Sequence, residues 1–177
     1  MKIIITGIDS INKIELAKSI ISKDDELSIC PTFTSDDEYS GKISDNYIYY
    51  LNPNIIDLSY KNNSFIYIST ENYISYGITI DDFYNNDVIC LSTKNFNKII
   101  NDVFEKHDCL IVWVDSKFHE GINIKEELTE IKYLEEIISK QKYLYFIDED
   151  FDIISDIILK YITGTEETKS KILEENS

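Results

Sequence analysis

The sequence predicts an α/β domain: a parallel β-sheet with helices on both faces, three layers in all, carrying a small inserted β unit. Three observations predict it. The chain opens with a β-branched run, Lys2-Ile3-Ile4-Ile5-Thr6, which ends in Gly7 and leads through a short loop into a helical pattern. Later, Cys109-Leu110-Ile111-Val112-Trp113-Val114 is apolar without a break, as a central parallel strand covered on both faces must be. Between them, residues 29–76 are rich in Tyr, Asn, Ser and Asp, and their apolar residues alternate rather than cluster at helical spacing.

The elements follow in order. Residues 2–6 form a buried strand, and residues 13–22 a helix whose apolar face is Ile14, Leu16, Ala17, Ile20 and Ile21. Ile48-Tyr49-Tyr50-Leu51 and Phe65-Ile66-Tyr67-Ile68 are strands of the inserted unit, residues 29–78. Residues 79–85 read as a helix, 88–92 as a strand, 97–106 as a helix and 109–114 as the central strand. Ile124, Leu128, Ile131, Leu134, Ile137 and Ile138 give a helical face over 124–140, and Tyr143-Leu144-Tyr145-Phe146-Ile147 another strand. Asp148 or Asp150 then caps a helix over 151–162. Residues 1–163 make a single domain, and Thr165 to Ser177 a charged tail, frayed or loosely helical. Strands alternating with helices imply a parallel sheet.

Composition bounds the function. A chain of 177 residues suits one domain with one core. No apolar stretch reaches the length of a membrane-spanning helix, and the first apolar run is too short for a signal peptide. A cytoplasmic location is expected. Cys30, Cys90 and Cys109 have no metal-ligand spacing and are odd in number, so they read as buried thiols, with no metal site. All 17 basic residues are lysines. The preference for Ile, Asn, Lys and Tyr suggests an AT-rich genome, that of a phage, a virus or a low-GC bacterium, with host cytoplasm as the location in the first two cases. The net charge of −16 repels nucleic acid and anionic membranes. It suits solubility, or a basic protein partner.

One stretch carries a chemical signal. Phosphate-binding loops follow G-x-x-x-x-G-K-[ST] between a buried strand and a helix. Here the stretch is Gly7-Ile8-Asp9-Ser10-Ile11-Asn12-Lys13-Ile14. Gly7 and Lys13 stand at the right spacing, and the context is that of a P-loop NTPase-like domain. Gly7, Asp9, Ser10, Asn12 and Lys13 are the expected phosphate-binding residues. Asn12 replaces the second glycine and is tolerable at positive φ. Ile14 replaces the hydroxyl that would hold Mg²⁺, and Asp9 adds a negative charge that opposes a triphosphate.

The ordered series beyond this loop resembles the guanylate kinase family and, more loosely, other nucleoside monophosphate kinases. In that family a T-T-R-x-P-R stretch, a D-Y-x-F element and a Y-G-T turn build the GMP-binding β unit. Pro31-Thr32-Phe33-Thr34 stands near the first, Asn46-Tyr47-Ile48-Tyr49 at the second, and Asn72-Tyr73-Ile74-Ser75-Tyr76-Gly77-Ile78-Thr79 at the third. The resemblance implies substrate binding by Thr32, Thr34, Tyr47, Tyr76, Gly77 and Thr79. It places a short lid at residues 116–127, after Trp113-Val114-Asp115-Ser116. It implies ATP and a (d)NMP as ligands, with Mg²⁺, if phosphotransfer survives, and no cofactor otherwise.

The departures concern charge. The family's site uses arginines, its glutamate falls on Tyr67, and its strand-end aspartate falls near Thr93. Lid cations are lysines and a histidine: Lys117, His119, Lys125 and Lys132. Lysine supplies charge without the planar fork of arginine. Lys13, Lys117 and His119 are the candidate catalytic residues. Two functions compete: a nucleoside monophosphate kinase with weak or lost transfer, and a catalytically dead kinase-fold module that binds a basic partner, as in phage–host interaction.

Overall fold

A computed structural model describes residues 1–7, 12–41, 47–92, 95–96, 107–115, 142–147 and 149–176. The expected helices over 97–106 and 124–140, the lid over 116–127 and Asp148 lie outside the described residues. The rest forms two sheets and five helices among the described residues.

The central sheet holds β1 (Lys2–Gly7), β6 (Val88–Cys90), β7 (Cys109–Asp115) and β8 (Tyr143–Ile147), in the spatial order β6-β1-β7-β8. Every pairing is parallel, as the unbroken apolar runs require. Ile29 makes one further parallel bridge to Val88, and Cys30 N donates to Val88 O at 2.8 Å. The start of the insert therefore runs along the other edge of β6.

Side chains of this sheet alternate between two cores, as the pleat dictates. Ile3, Ile5, Leu110, Val112, Val114, Leu144 and Phe146 face α1 (Lys13–Lys23), α4 (Phe151–Thr163) and α5 (Glu166–Asn176). Ile4, Ile89, Ile111 and Trp113 face the other way, against Cys30, Tyr67, Ile78, Phe83 and Phe96. The sheet is thus sandwiched, with the insert helping to close the second face. Fully burying an Ile or Phe side chain contributes about 1.5–3 kcal/mol, so these two layers hold the domain together.

Asp150 is the residue that caps α4: its carboxylate accepts from Asp152 N at 2.7 Å. Ser19 Oγ on α1 donates to Asp152 at 2.9 Å, and Lys23 Nζ lies 2.8 Å from Asp156, so polar contacts flank the α1–α4 seam. Of the two states expected for the tail, frayed or loosely helical, the structure shows a helix. Residues 166–176 form α5, and Ile172 is only 5% exposed within the first core. Ile172 and Leu173 are the only apolar residues among the 11 of α5, a weak signal among so many charges, yet both pack on that core.

The inserted unit is a second sheet, β3 (Ile48–Tyr50), β2 (Thr32–Thr34), β5 (Ile74–Thr79) and β4 (Phe65–Glu71) in spatial order. It also contains a helix that the alternating pattern did not suggest, α2 (Pro53–Lys61), with Asn52 as cap and Pro53 in its first turn. Only Ile56 of α2 is buried, so helical periodicity leaves little trace in this stretch. The Tyr76-Gly77 pair is not a turn. It lies inside β5, between β2 and β4, and the turn falls at Asn72 and Tyr73, whose φ values are 49° and 67°. Gly77 is required there because a Cβ would strike Tyr67 O and the Phe33 ring.

Candidate functional site

In sheets of this kind, ligands bind beyond the carboxyl ends of the strands. Here those ends bring together Gly7 of β1, the start of α1, Leu91 and Ser92 after β6, and Asp115 of β7. Asp9 and Ser10 lie outside the described residues, as do Lys117, His119, Lys125 and Thr93.

Gly7 has φ 134°, a conformation that glycine adopts readily. Its Cα also lies so close to β7 that any Cβ would meet the Val114 carbonyl. Asn12 does not replace a glycine conformationally. Its φ is −76°, an ordinary value, and it stands as the cap residue of α1 without a side-chain capping bond. The first-turn N–H groups of α1 therefore lack the side-chain acceptor that a capping residue normally gives. Lys13 is the first residue of α1 and is 9% exposed. The Cys90 thiol donates to Lys13 O at 3.4 Å. Burial pushes that thiol up to about 12, against an opposing pull from the Lys13 charge.

The start of α1, with Lys13 as its first residue, is where an anion is favoured. Ile14 has no donor atom, and no group of three or more His, Cys, Asp or Glu among the described residues could hold a metal ion.

The expected substrate-binding residues of the insert lie as follows. Thr32 N donates to Tyr47 O at 2.9 Å, and Thr34 Oγ1 accepts from Asp36 N at 3.2 Å. Gly77 and Tyr76 sit opposite Phe33 and Thr34 in the β2–β5 ladder. Tyr47, at φ 56°, packs on the first core, whereas Tyr76 packs on the second. Thr79 caps α3 (Ile80–Asn85), accepting from Asp82 N at 3.0 Å. Tyr67, where the glutamate of the resembled family would fall, is buried in the second core, and burial raises its hydroxyl well above the ordinary tyrosine range.

Sequence reasoning missed a polar cluster here. Tyr49 Oη donates to Asp82 Oδ2 at 2.7 Å, and Thr79 Oγ1 donates to the same oxygen at 2.6 Å. Burial raises the Tyr49 hydroxyl, the Asp82 hydrogen bond adding to it, so its proton stays in that bond. The Thr79-Ile80-Asp81-Asp82 spacing, a capping-box pattern, was the available signal. Two buried polar atoms, Thr6 Oγ1 and Asn95 Oδ1, make no hydrogen bond among the described residues. His107 packs edge-on against Phe83 and Tyr84 at 5.3 and 5.2 Å, which is an aromatic contact.

Strand order, all-parallel pairing and the inserted sheet define a P-loop kinase fold. Among solved structures, guanylate kinase from Anaplasma phagocytophilum is similar to this chain, with a TM-score of 0.59 and 12% identity over 89% of this chain and 81% of that one. At that identity the likeness concerns the fold. No protein-family model matches the chain, and no curated protein matches it by sequence.

Proposed function

We propose that this chain is a nucleotide-binding protein of the nucleoside monophosphate kinase type, with weak or lost phosphotransfer. The observation that carries the reading is Lys13, held 9% exposed at the first position of an uncapped helix beside Gly7. Here α1 and Lys13 receive the phosphates of ATP, and the insert, through Thr32, Thr34, Tyr76 and Thr79, receives the acceptor. In this reading Asp9, Ser10 and Asn12 line the phosphate loop, and Lys117 and His119 bring positive charge to the transferred group. Any Mg²⁺ would have to be held by the nucleotide's own oxygens. Without arginine, which is worth about 10³–10⁵ in rate as a finger residue in GTPases, turnover is slow.

Thermal unfolding with ATP, Mg²⁺ and a panel of (d)NMPs tests this, since a ligand at 100 times its Kd stabilises by about 2.7 kcal/mol. A shift that Lys13→Ala removes supports it, and no shift with any nucleotide sinks it. A second reading, a kinase-fold module that binds a basic protein, is favoured by the net charge of −16 and by Ile14 in place of the hydroxyl. It predicts neither turnover nor a Lys13-dependent shift.

A further inference from the structure

We infer that Cys90 is a positioning residue for Lys13: its thiol holds the first turn of α1, and with it the lysine, against the end of β6. The inference rests on the reading above that Lys13 receives a phosphate, and it names what fixes that lysine in place.

The pleat of the sheet brings the two residues together. Val88 packs in the first core and Ile89 in the second, so Cys90, the last residue of β6, turns back to the first face, the face that carries α1. It pairs with Ile5 of β1, two residues before Gly7, close to where β1 ends. There the thiol donates to Lys13 O at 3.4 Å, between residues 77 apart in sequence.

The bond matters because of where it acts. Asn12 gives this turn no side-chain cap, and the buried apolar residues that anchor α1, Leu16, Ala17 and Ile20, lie further along the helix. Helix ends open more readily than helix centres. A carbonyl has two lone pairs, so the thiol adds to the bond that the helix itself makes to Lys13 O rather than replacing it. A thiol is a weak donor, enough to bias one turn without deciding whether the domain folds. Burial keeps the proton on this sulfur at neutral pH, so the donor is always present.

The test compares Cys90→Ala, Cys90→Val and Cys90→Ser in the full chain. Valine keeps an apolar side chain at this site without a donor, and serine keeps a donor. Lys13 is 9% exposed, so its rate of acetylation by acetic anhydride, followed by mass spectrometry, reads how firmly the turn is held. Lys13 should react about three- to tenfold faster in the alanine and valine variants, as the loss of one hydrogen bond implies. In the serine variant it should react at the wild-type rate, with Lys160 and Lys169 unchanged in all three. ATP affinity by calorimetry should fall by a similar factor in the alanine and valine variants and recover in the serine one. Wild-type acetylation of Lys13 in Cys90→Val overturns the inference, and so does a serine variant that behaves like the valine one. A rise at every lysine marks general loosening and overturns it too, as does an ATP affinity that Cys90→Val leaves unchanged. Wild-type protein that ignores ATP refutes the donor-site reading instead, and the acetylation pattern still decides whether Cys90 holds Lys13.

Discussion

Gly7→Ala separates what the first glycine does for the fold from what it does for a ligand. At φ 134° an alanine is strained, at about 1–3 kcal/mol for a residue held in such a region. The new Cβ would also lie 2.8 Å from the Val114 carbonyl carbon and 2.9 Å from its nitrogen, and closer still to its oxygen. Those atoms belong to β7, which is paired with β1 along its whole length, so relief requires moving two central strands. Overpacking of this kind costs about 1–3 kcal/mol. The two terms together predict a loss of about 2–6 kcal/mol. For a domain of this size 1 kcal/mol moves Tm by about 2–4 °C, so the ligand-free variant should melt about 4–24 °C below wild type by circular dichroism. A Tm within about 2 °C of wild type, on the same scale, would refute the reasoning. It would mean that Gly7 is needed only for backbone approach to a bound phosphate.

Other substitutions probe the remaining joints. Ile172→Ala empties a buried site between α5 and the core and should cost about 2–5 kcal/mol in urea unfolding, which a frayed tail would not. Asp150→Ala removes the cap of α4 and should cost about 1 kcal/mol by the same measurement. Asp108 pairs with Lys142 at 2.8 Å, and that bond holds its carboxyl below the ordinary value. Because its folded pKa is depressed, the pair stabilises above the unfolded aspartate pKa, and the gain fades as pH falls through the folded one. Both groups are largely exposed, so Asp108→Asn should cost at most about 1 kcal/mol at pH 7 and nothing in strong acid. Burial pushes the Cys109 thiol up to about 11 and the Cys90 thiol up to about 12, so neither is a thiolate near pH 8. Iodoacetamide, followed by mass spectrometry, should label both slowly in native protein and quickly in denaturant.

The central sheet was legible because its physics is local. Unbroken apolar runs at 2–6 and 109–114 require cover on both faces, and the structure provides it. The insert was half legible. Its alternation announced strands, but α2 buries a single side chain, and a helix that exposes Ile55, Leu58 and Tyr60 leaves no amphipathic period to read. The turn was misplaced because Tyr76-Gly77 carries the stronger turn signal. The glycine instead answers a steric demand from Phe33 and Tyr67, partners that only the tertiary fold brings near.

At the candidate site, spacing pointed to Lys13, and the backbone of its neighbour differs from the expectation. Asn12 was read as a substitute for glycine at positive φ, yet its φ is −76°. The departure therefore does not strain the backbone. Like the glycine it replaces, Asn12 gives the start of α1 no side-chain cap. Ile14 removes a metal ligand and leaves phosphate affinity to Lys13 and the helix terminus. In the proposed reading, Ile14 decouples phosphate binding from metal binding at this loop. In that reading, ATP affinity should depend only weakly on Mg²⁺, because Ile14 offers the metal no ligand at the position where a P-loop carries a hydroxyl. Titration of ATP with and without EDTA measures that dependence directly. A loss of affinity of about a hundredfold on chelation, the upper end of what losing a metal-site partner costs, would place a protein ligand for Mg²⁺ at the site and refute the decoupling.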